Sequence, residues 1–153
     1  MASTAPAIAV RLPTAFVLHP SASLHDTGWG HPEHQGRLRA LASSVGRDML
    51  ALHGRAVQIA PPAAEEADLL RVHTQSHLGR VREAVGRADA LETPQRLDPD
   101  TVVSGASWEA ALGTAGGGIE AVRGVVEGEY ANAFVAARPP GHHATPDRAM
   151  GFC

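Results

Sequence analysis

One short stretch near the carboxyl terminus restricts the possible folds more than any other. The run NAFVAA, from Asn132 to Ala137, is apolar after its first residue and leads directly into Arg138-Pro139-Pro140. A run of this kind is typical of a strand buried on both faces of a parallel sheet, with helices on either side. The prolines cannot continue a central strand, so they mark its end. We therefore predict an α/β fold.

The rest of the chain alternates between strand and helix patterns. Short runs of β-branched or aromatic residues predict strands at Thr14–Leu18 and around Val57–Ile59, each followed by proline. Apolar side chains at helical spacing predict a helix over about Pro32–Leu52, two short helices within Ala63–Ala90, and a long helix from about Ser107. This order is typical of βαβ units on a parallel sheet.

Two further stretches bear on packing and function. The segment 93–107 has two prolines, two aspartates and few apolar residues, which predicts a loop long enough to suggest a functional role. Gly116-Gly117-Gly118 lies inside the long helix, where glycines allow a close backbone approach at some cost in helix propensity.

Composition excludes several function classes. All thirteen basic residues are arginines and the net charge is -3, so the chain has no basic surface for nucleic acid. No apolar run is long enough to cross a membrane. We expect residues 1–11 to be a flexible tail, because they lack the features of a secretory signal. The single cysteine, Cys153, excludes an internal disulfide, and we expect a cytoplasmic protein.

Two adjacent histidines, His142 and His143, follow the last predicted strand closely. Sites in open α/β sheets form at the carboxyl ends of the strands. The preceding prolines would fix the backbone and Gly141 would permit a turn, so that both rings enter the site in a defined orientation. An imidazole, with a pKa of about 6.5, can accept a proton from water and return it to a leaving amine. A histidine pair alone is more often part of a polar loop, so the flanking residues decide between these interpretations.

Those flanking residues resemble a known family. RPPGHHA at 138–144 and GFC at 151–153 resemble the signature of the histone-deacetylase superfamily, which includes bacterial acetoin-utilisation and acetylpolyamine deacetylases. HPE at 31–33, with RL at 37–38, resembles the segment at the start of the family's first long helix.

Two further stretches, 24–30 and 102–112, look like the bacterial, class-II-like branch of this superfamily. The departures are His34-Gln35-Gly36, where the family usually has Arg-Pro-Glu, and Gly105-Ala106, which replaces a common Pro-Gly. We expect these differences to change local packing and loop stiffness only.

The resemblance implies a partial three-layer fold of the arginase/deacetylase type. Residues 12–153 would be the incomplete amino-terminal portion of a deacetylase domain, with a parallel sheet that stops after about the third strand. The implied activity is zinc-dependent hydrolysis of acetyl groups from acetyl-lysine or acetylated polyamines.

The resemblance also implies roles for individual residues. His142 matches the principal general base, and His143 its electrostatic partner or general acid. Gly151 and Phe152 match residues that line a narrow tunnel for the acylated amine, with Phe152 as one wall. Without this context, Phe152 would be interpreted as a core residue.

Three charged residues have weaker matches. Arg37 corresponds to an arginine of the internal channel by which acetate leaves, and Asp98 or Asp100 to a carboxylate at the rim that orients substrate. The plain alternatives are a helix-surface charge for Arg37 and turn formation for the aspartates.

The family's zinc ligands, an Asp-x-His pair after GFC and a later aspartate, do not occur in these 153 residues. We therefore predict that zinc is the cofactor of the full-length family, that this chain contributes no metal ligand, and that it has little or no activity alone. We expect a small acetylated amine or acetyl-lysine as substrate, a homo-oligomer or a complementing second half as partner, and no direct contact with nucleic acid or membrane.

Two alternatives remain open. The chain could be a non-catalytic remnant or interaction module of the same fold. It could also be a small metal-binding protein that uses His31, His34 and Cys153, although a lone HxxH is a weak signal. The terminal strand, Asn132–Ala137, would in addition leave an open sheet edge and exposed apolar surface.

Overall fold

The structure is a computed structural model and describes residues 11–153, so most of the predicted tail lies outside the described residues. Within these described residues, five strands and four helices follow one another, with a 3-10 turn at Pro20–Ser23 after the first strand. The strands are β1 (Thr14–Val17), β2 (Ala56–Ile59), β3 (Gln95–Arg96), β4 (Val102–Val103) and β5 (Asn132–Val135). The helices are α1 (Gly36–Asp48), α2 (Glu66–Leu69), α3 (Gln75–Ala90) and α4 (Ser107–Val126).

Three strands form a parallel sheet in the order β2-β1-β5. Thr14 of the central strand is paired with Ala56 of β2 on one side and with Asn132 of β5 on the other. This sheet confirms the predicted α/β class and the prediction that about three strands are present.

Helices cover both faces of the sheet. On one face, Phe16 of β1 packs with Leu38 of α1 and with Ala22 of the 3-10 turn. On the other face, Val17 packs with Ala121 of α4. Apart from Phe16, the three layers therefore meet through small and aliphatic side chains, which allow close packing of helix on sheet.

The predicted close approach at the central glycines of α4 is confirmed. A Cβ atom at Gly116 would lie 2.1 Å from the carbonyl oxygen of Pro62, in the segment after β2. A Cβ atom at Gly117 would meet Val135 and Val17 of the sheet at 3.3 and 3.6 Å. The lack of side chains therefore lets α4 lie directly on the sheet.

Two predicted elements differ from those in the structure. The first long helix, predicted over about Pro32–Leu52, spans Gly36–Asp48. It begins later because His31 and His34 form local turns in which their Nδ1 atoms accept hydrogen bonds from the backbone N–H groups of Glu33 and Gly36. The predicted loop 93–107 contains the short antiparallel hairpin β3–β4. Val103 of β4 packs with Val85 of α3, so tertiary contacts order this segment.

The last strand is not buried on both faces within residues 11–153, and the open sheet edge with exposed apolar surface that was expected from the sequence is present. β5 is paired only with β1 within residues 11–153, and Phe134 is 53% exposed. The Phe134 ring stacks on that of Phe16, with centroids 5.9 Å apart, at the margin of the face that α1 covers. β5 is therefore an edge strand of the sheet that residues 11–153 form.

Within the described part of the chain, no helix combines the length and apolar character needed to cross a membrane.

Candidate functional site

A cavity of about 240 Å³ lies beyond the carboxyl end of β5. It is bounded by α3, α4, the β3–β4 hairpin and the segment that follows β5. Its mainly apolar lining includes Leu78, Val103, Trp108, Pro140, Gly141 and Phe152. The RPPGHH segment thus forms part of the wall of a cavity at the sheet edge where sites are expected.

The tandem histidines lie together at the rim of this cavity. The ring centroids of His142 and His143 are 4.2 Å apart, and both residues are exposed. Gly141 and Ala144, on either side of the pair, line the cavity, whereas the two imidazoles do not. The rings are therefore placed to act on one group, but this part of the chain leaves them open to solvent.

The GFC segment packs against the second histidine. The backbone N–H of His143 donates a hydrogen bond to Sγ of Cys153, at 3.3 Å. Gly151 has φ +62°, and a Cβ atom there would lie 2.8 Å from the His143 ring carbon Cγ. Only glycine satisfies both the positive φ and the close approach, so Gly151 helps to set the position of His143.

A buried arginine holds the start of the histidine segment. Arg138 is 1% exposed, and its guanidinium donates to Oε1 and to the backbone oxygen of Glu33, each at 2.9 Å. It also donates to the backbone oxygens of Ala22 and His25. Burial lowers the pKa of Arg138, and the charge of Glu33 opposes that shift. These hydrogen bonds connect the end of β5 to the loop that precedes α1.

His25 extends this network. Its Nδ1 atom lies 2.6 Å from Oγ of Ser107, and its Nε2 atom lies 3.9 Å from Oε2 of Glu33. Burial, and then the positive charge of Arg138, lower the pKa of His25 to about 4, so the ring is neutral near pH 7. Glu33 Oε2 has no hydrogen-bond partner within residues 11–153.

This network was not predicted from the sequence. Glu33 and Arg138 were noted only as parts of the two motifs, and His25 was not singled out. An available signal was Arg138 itself, because a charge joined directly to a buried apolar run requires a buried partner. Nothing in the sequence pattern indicated which acid would supply it.

Phe152 lines the cavity, as expected for the wall of a site. It has φ +71°, and its ring meets that of His31 edge to face, with centroids 5.0 Å apart. The GFC segment is therefore joined to the HPE segment, which is 120 residues earlier in the chain. The two motifs recognised separately in the sequence lie on one side of the molecule.

The structure places the three charged residues away from the main cavity lining. Arg37 has a side chain that is 61% exposed, and its Nη1 atom lies 3.5 Å from Glu33 Oε1. It borders a separate hollow between α1 and β5. Asp100 is exposed, and its backbone oxygen accepts a hydrogen bond from His31 Nε2 at 3.0 Å. Asp100 and Phe152 both border a third hollow.

Asp98 closes the turn of the β3–β4 hairpin. Its carboxylate accepts hydrogen bonds from the backbone N–H groups of Asp100 and Thr101, at 2.9 and 2.7 Å, and from the Thr101 hydroxyl. Desolvation opposes the shift, but these hydrogen bonds lower the pKa of Asp98. In this arrangement Asp98 forms a turn, which was the alternative to the substrate-orienting role considered from the sequence.

A second histidine pair also lines the cavity and was not predicted. The rings of His73 and His77 have centroids 5.2 Å apart, at the beginning of α3. Burial, and then the neighbouring His73, lower the pKa of His77.

The residues described here do not fit a zinc site. No group of three or more histidine, cysteine, aspartate or glutamate side chains between residues 11 and 153 could hold a metal ion. The Nδ1 atoms of His31 and His34 already accept backbone hydrogen bonds, which leaves the proposed trio with Cys153 poorly suited to coordination.

Comparison with known proteins gives the family. Residues 31–153 match the histone deacetylase domain. The chain is 38% identical over 146 residues to a histone deacetylase-like amidohydrolase of Pseudomonas aeruginosa, covering 95% of this chain and 35% of the relative. It is 33% identical over 140 residues to a probable deacetylase of Archaeoglobus fulgidus, covering 92% and 37%.

A solved structure, the crystal structure of the HDA15 HD domain, has the same fold. The TM-score is 0.78 at 29% identity, over 92% of this chain and 40% of that one. This chain therefore spans between a third and two fifths of these relatives. With both motifs on one side of a parallel α/β fold, the chain belongs to the histone deacetylase domain family.

Proposed function

We propose that this chain is the portion of a zinc-dependent deacetylase that supplies the tandem histidines. In the complete protein, the reaction would be hydrolysis of an acetyl group from acetyl-lysine or an acetylated polyamine. The observation that supports this proposal is the pairing of His142 and His143, 4.2 Å apart, at the rim of an apolar cavity. Bound zinc would supply the polarisation of the amide carbonyl and of the attacking water.

The chain's own residues would handle protons and position the substrate. His142 would accept a proton from water, and its neighbour His143 would stabilise the charge or donate a proton to the leaving amine. Gly151 and Phe152 would border the acylated side chain, with the Phe152 ring held against His31. We propose that Arg37 belongs to the channel by which acetate leaves. This channel would run through the hollow between α1 and β5. Asp100 is the better placed of the two rim carboxylates, because Asp98 is engaged in its turn.

We further propose that the 153-residue chain alone is inactive and binds no zinc, and that the complete protein acts in the cytoplasm. An acetyl-lysine reporter assay with added zinc tests the first statement. The chain should show no turnover, whereas a protein that continues into the remaining domain should be active and should lose at least about a hundredfold in kcat on His142→Ala. Zinc-dependent turnover by the short chain would refute the proposal.

The alternative is a non-catalytic interaction module, and the exposed Phe134 at the sheet edge favours it. The same assay separates the two functions. If the extended protein, with stoichiometric zinc, also fails to deacetylate any acetyl-lysine or acetylpolyamine substrate, the interaction role is the better account.

A further inference from the structure

We propose that the main cavity takes the acyl end of the substrate, and that His73 and His77 in its wall recognise a hydroxyl group at the end of an acyl chain longer than acetyl. The substrate class would then be hydroxyacyl amides of amines such as lysine or a polyamine. His73 and His77 would be specificity-determining residues, separate from the pair that transfers protons. This inference rests on the proposed function, because it assumes that the amide bond reacts at His142 and His143.

Two hollows meet beside the tandem histidines, and Phe152 borders both of them. The first is the main cavity, which Gly141 and Ala144 also line. The second is the third hollow, which the exposed Asp100 and His31 also border. The amine of an acylated lysine or polyamine belongs to a longer molecule and must extend toward solvent, whereas the acyl group is a chain end. The amine would therefore lie along the third hollow and the acyl group in the main cavity.

The main cavity is larger than an acetyl group needs. Its volume is about 240 Å³. A protein cavity of about 150 Å³ can hold benzene, so this one has room for an acyl chain of about four to six carbons. Its apolar walls include Leu78, Val81, Val103 and Trp108. The methylene groups of such a chain would be stabilised by burial against these side chains.

Most polar side chains in the cavity wall already have hydrogen-bond partners. The hydroxyl groups of Thr101 and Thr114 donate hydrogen bonds at 3.0 and 2.8 Å to a carboxylate and to a backbone oxygen. Oγ of Ser107 lies 2.6 Å from Nδ1 of His25. In contrast, Nδ1 of His73 is buried and has no hydrogen-bond partner within residues 11–153. A buried polar atom without a partner is costly, so this atom requires a polar group of an occupant.

His77 lies beside His73 and adds to the polar part of the wall. The two ring centroids are 5.2 Å apart, and His77 is 6% exposed. Burial lowers the pKa of His77, so its ring is neutral near pH 7. A neutral imidazole has one N–H donor and one acceptor nitrogen, and a hydroxyl group both donates and accepts. A hydroxyl group can therefore pair with either tautomer of His77 and with Nδ1 of His73.

The cavity favours a neutral hydroxyl group over a charged or a purely apolar chain end. Among residues 11–153, no arginine, lysine, aspartate or glutamate side chain lines it. A carboxylate there would lose its hydration without gaining an ion pair, which is costly. A purely apolar chain end would leave Nδ1 of His73 without a partner. The hydroxyl group avoids both costs.

The test is the binding preference of the 153-residue chain for three N-methyl amides. The acyl groups come from γ-hydroxybutyric acid, from pentanoic acid, in which a methyl group replaces the hydroxyl, and from succinic acid, which ends in a carboxylate. Backbone amide shifts of Gly141 and Ala144 in ¹H–¹⁵N correlation spectra follow each titration. We compare the wild type with His73→Phe and His77→Phe, which keep a ring but remove its hydrogen bonds. The matched control is His53→Phe, because His53 is exposed and does not line the cavity.

We expect the hydroxy amide to bind the wild type and His53→Phe at least about threefold more tightly than the pentanoic amide, and the succinic amide to bind most weakly. His73→Phe and His77→Phe should lose the preference for the hydroxyl group. Far-UV circular dichroism checks folding, and if one of these two variants fails to fold, the other decides.

Equal binding of the hydroxy and pentanoic amides to the wild type would overturn the inference, and is the result expected if a water molecule already satisfies His73. Retention of the preference in both cavity variants, tightest binding of the succinic amide, or no shift at Gly141 and Ala144 with any amide would also overturn it. Because binding is measured without turnover, these outcomes are distinct from a failure of the deacetylation assay.

Discussion

The side chains of Glu33 and Arg138, which are 105 positions apart in the sequence, form a buried ion pair with Nε and Oε1 2.9 Å apart. The pair joins the HPE motif to the RPPGHH motif, and both side chains are at least 95% buried. An arginine in such a place remains charged only with a carboxylate and several backbone oxygens around it. The pair therefore links the first loop of the fold to the position of the tandem histidines.

Removal of one member of this pair should destabilise the chain strongly. We expect Glu33→Ala to lower the free energy of unfolding by about 3–5 kcal/mol, because it leaves the Arg138 charge buried and unpaired. Urea denaturation followed by circular dichroism measures the change. The control is Glu83→Ala, which removes an exposed pair with Arg87 and should cost at most about 1 kcal/mol. Equal effects of the two variants would contradict this account.

The stability of the chain should depend on the protonation of His25. Unfolded, His25 binds a proton near its ordinary pKa of about 6.5, whereas its folded pKa is about 4. The unfolded state therefore binds more protons between these values, and acid favours unfolding. The contribution of neutral His25 to the free energy of unfolding is fully present above pH 6.5. It is lost as the pH falls toward 4, and the loss is at most about 3 kcal/mol.

Urea denaturation between pH 7.5 and pH 4 measures this dependence, with His25→Gln as the control. The charged and titratable groups that face His25 are Arg138, Glu33, Asp26 and His31, and all remain in the variant. We expect a flatter stability profile for His25→Gln over this range. Identical slopes for the two proteins would show that His25 does not carry the effect.

The central glycines of α4 should respond in opposite ways to alanine. Gly116→Ala would place a Cβ atom 2.1 Å from the Pro62 oxygen and should destabilise the chain by about 1–3 kcal/mol or more. Gly118→Ala meets nothing within 4 Å and should stabilise it by up to about 1 kcal/mol through helix propensity. Melting temperatures measured by calorimetry distinguish the two. A stabilising Gly116→Ala would mean that α4 does not lie against Pro62.

The position of His143 should depend on Gly151. In Gly151→Ala, the added methyl group would overlap the His143 ring and disfavour the positive φ, so the ring must move. Imidazole resonances of His143 in ¹H–¹⁵N correlation spectra report this movement. Gly86→Ala in α3 is the control, because a Cβ atom there meets nothing within 4 Å and Gly86 lies outside the histidine segment. We expect clear shifts for Gly151→Ala alone, and unchanged spectra would refute the contact.

Local sequence patterns determined the principal elements of this protein. Apolar runs ended by prolines predicted β1, β2 and β5, and helical spacing predicted the two helices within Ala63–Ala90 that are α2 and α3. The two motifs were sufficient to indicate the family. These features follow from near neighbours in the chain, where periodicity and backbone restriction act.

Only the tertiary structure decided which distant residues meet. Arg138 forms an ion pair with Glu33, and the Phe152 ring packs against that of His31. The hairpin in the predicted loop forms because Val103 packs on α3. The run that contains Phe134 has the pattern of a buried strand, but the 53% exposure of this side chain depends on what packs beside β5. The physical reason is that periodicity identifies an apolar face, whereas burial and ion pairing depend on what packs against that face after the chain has folded.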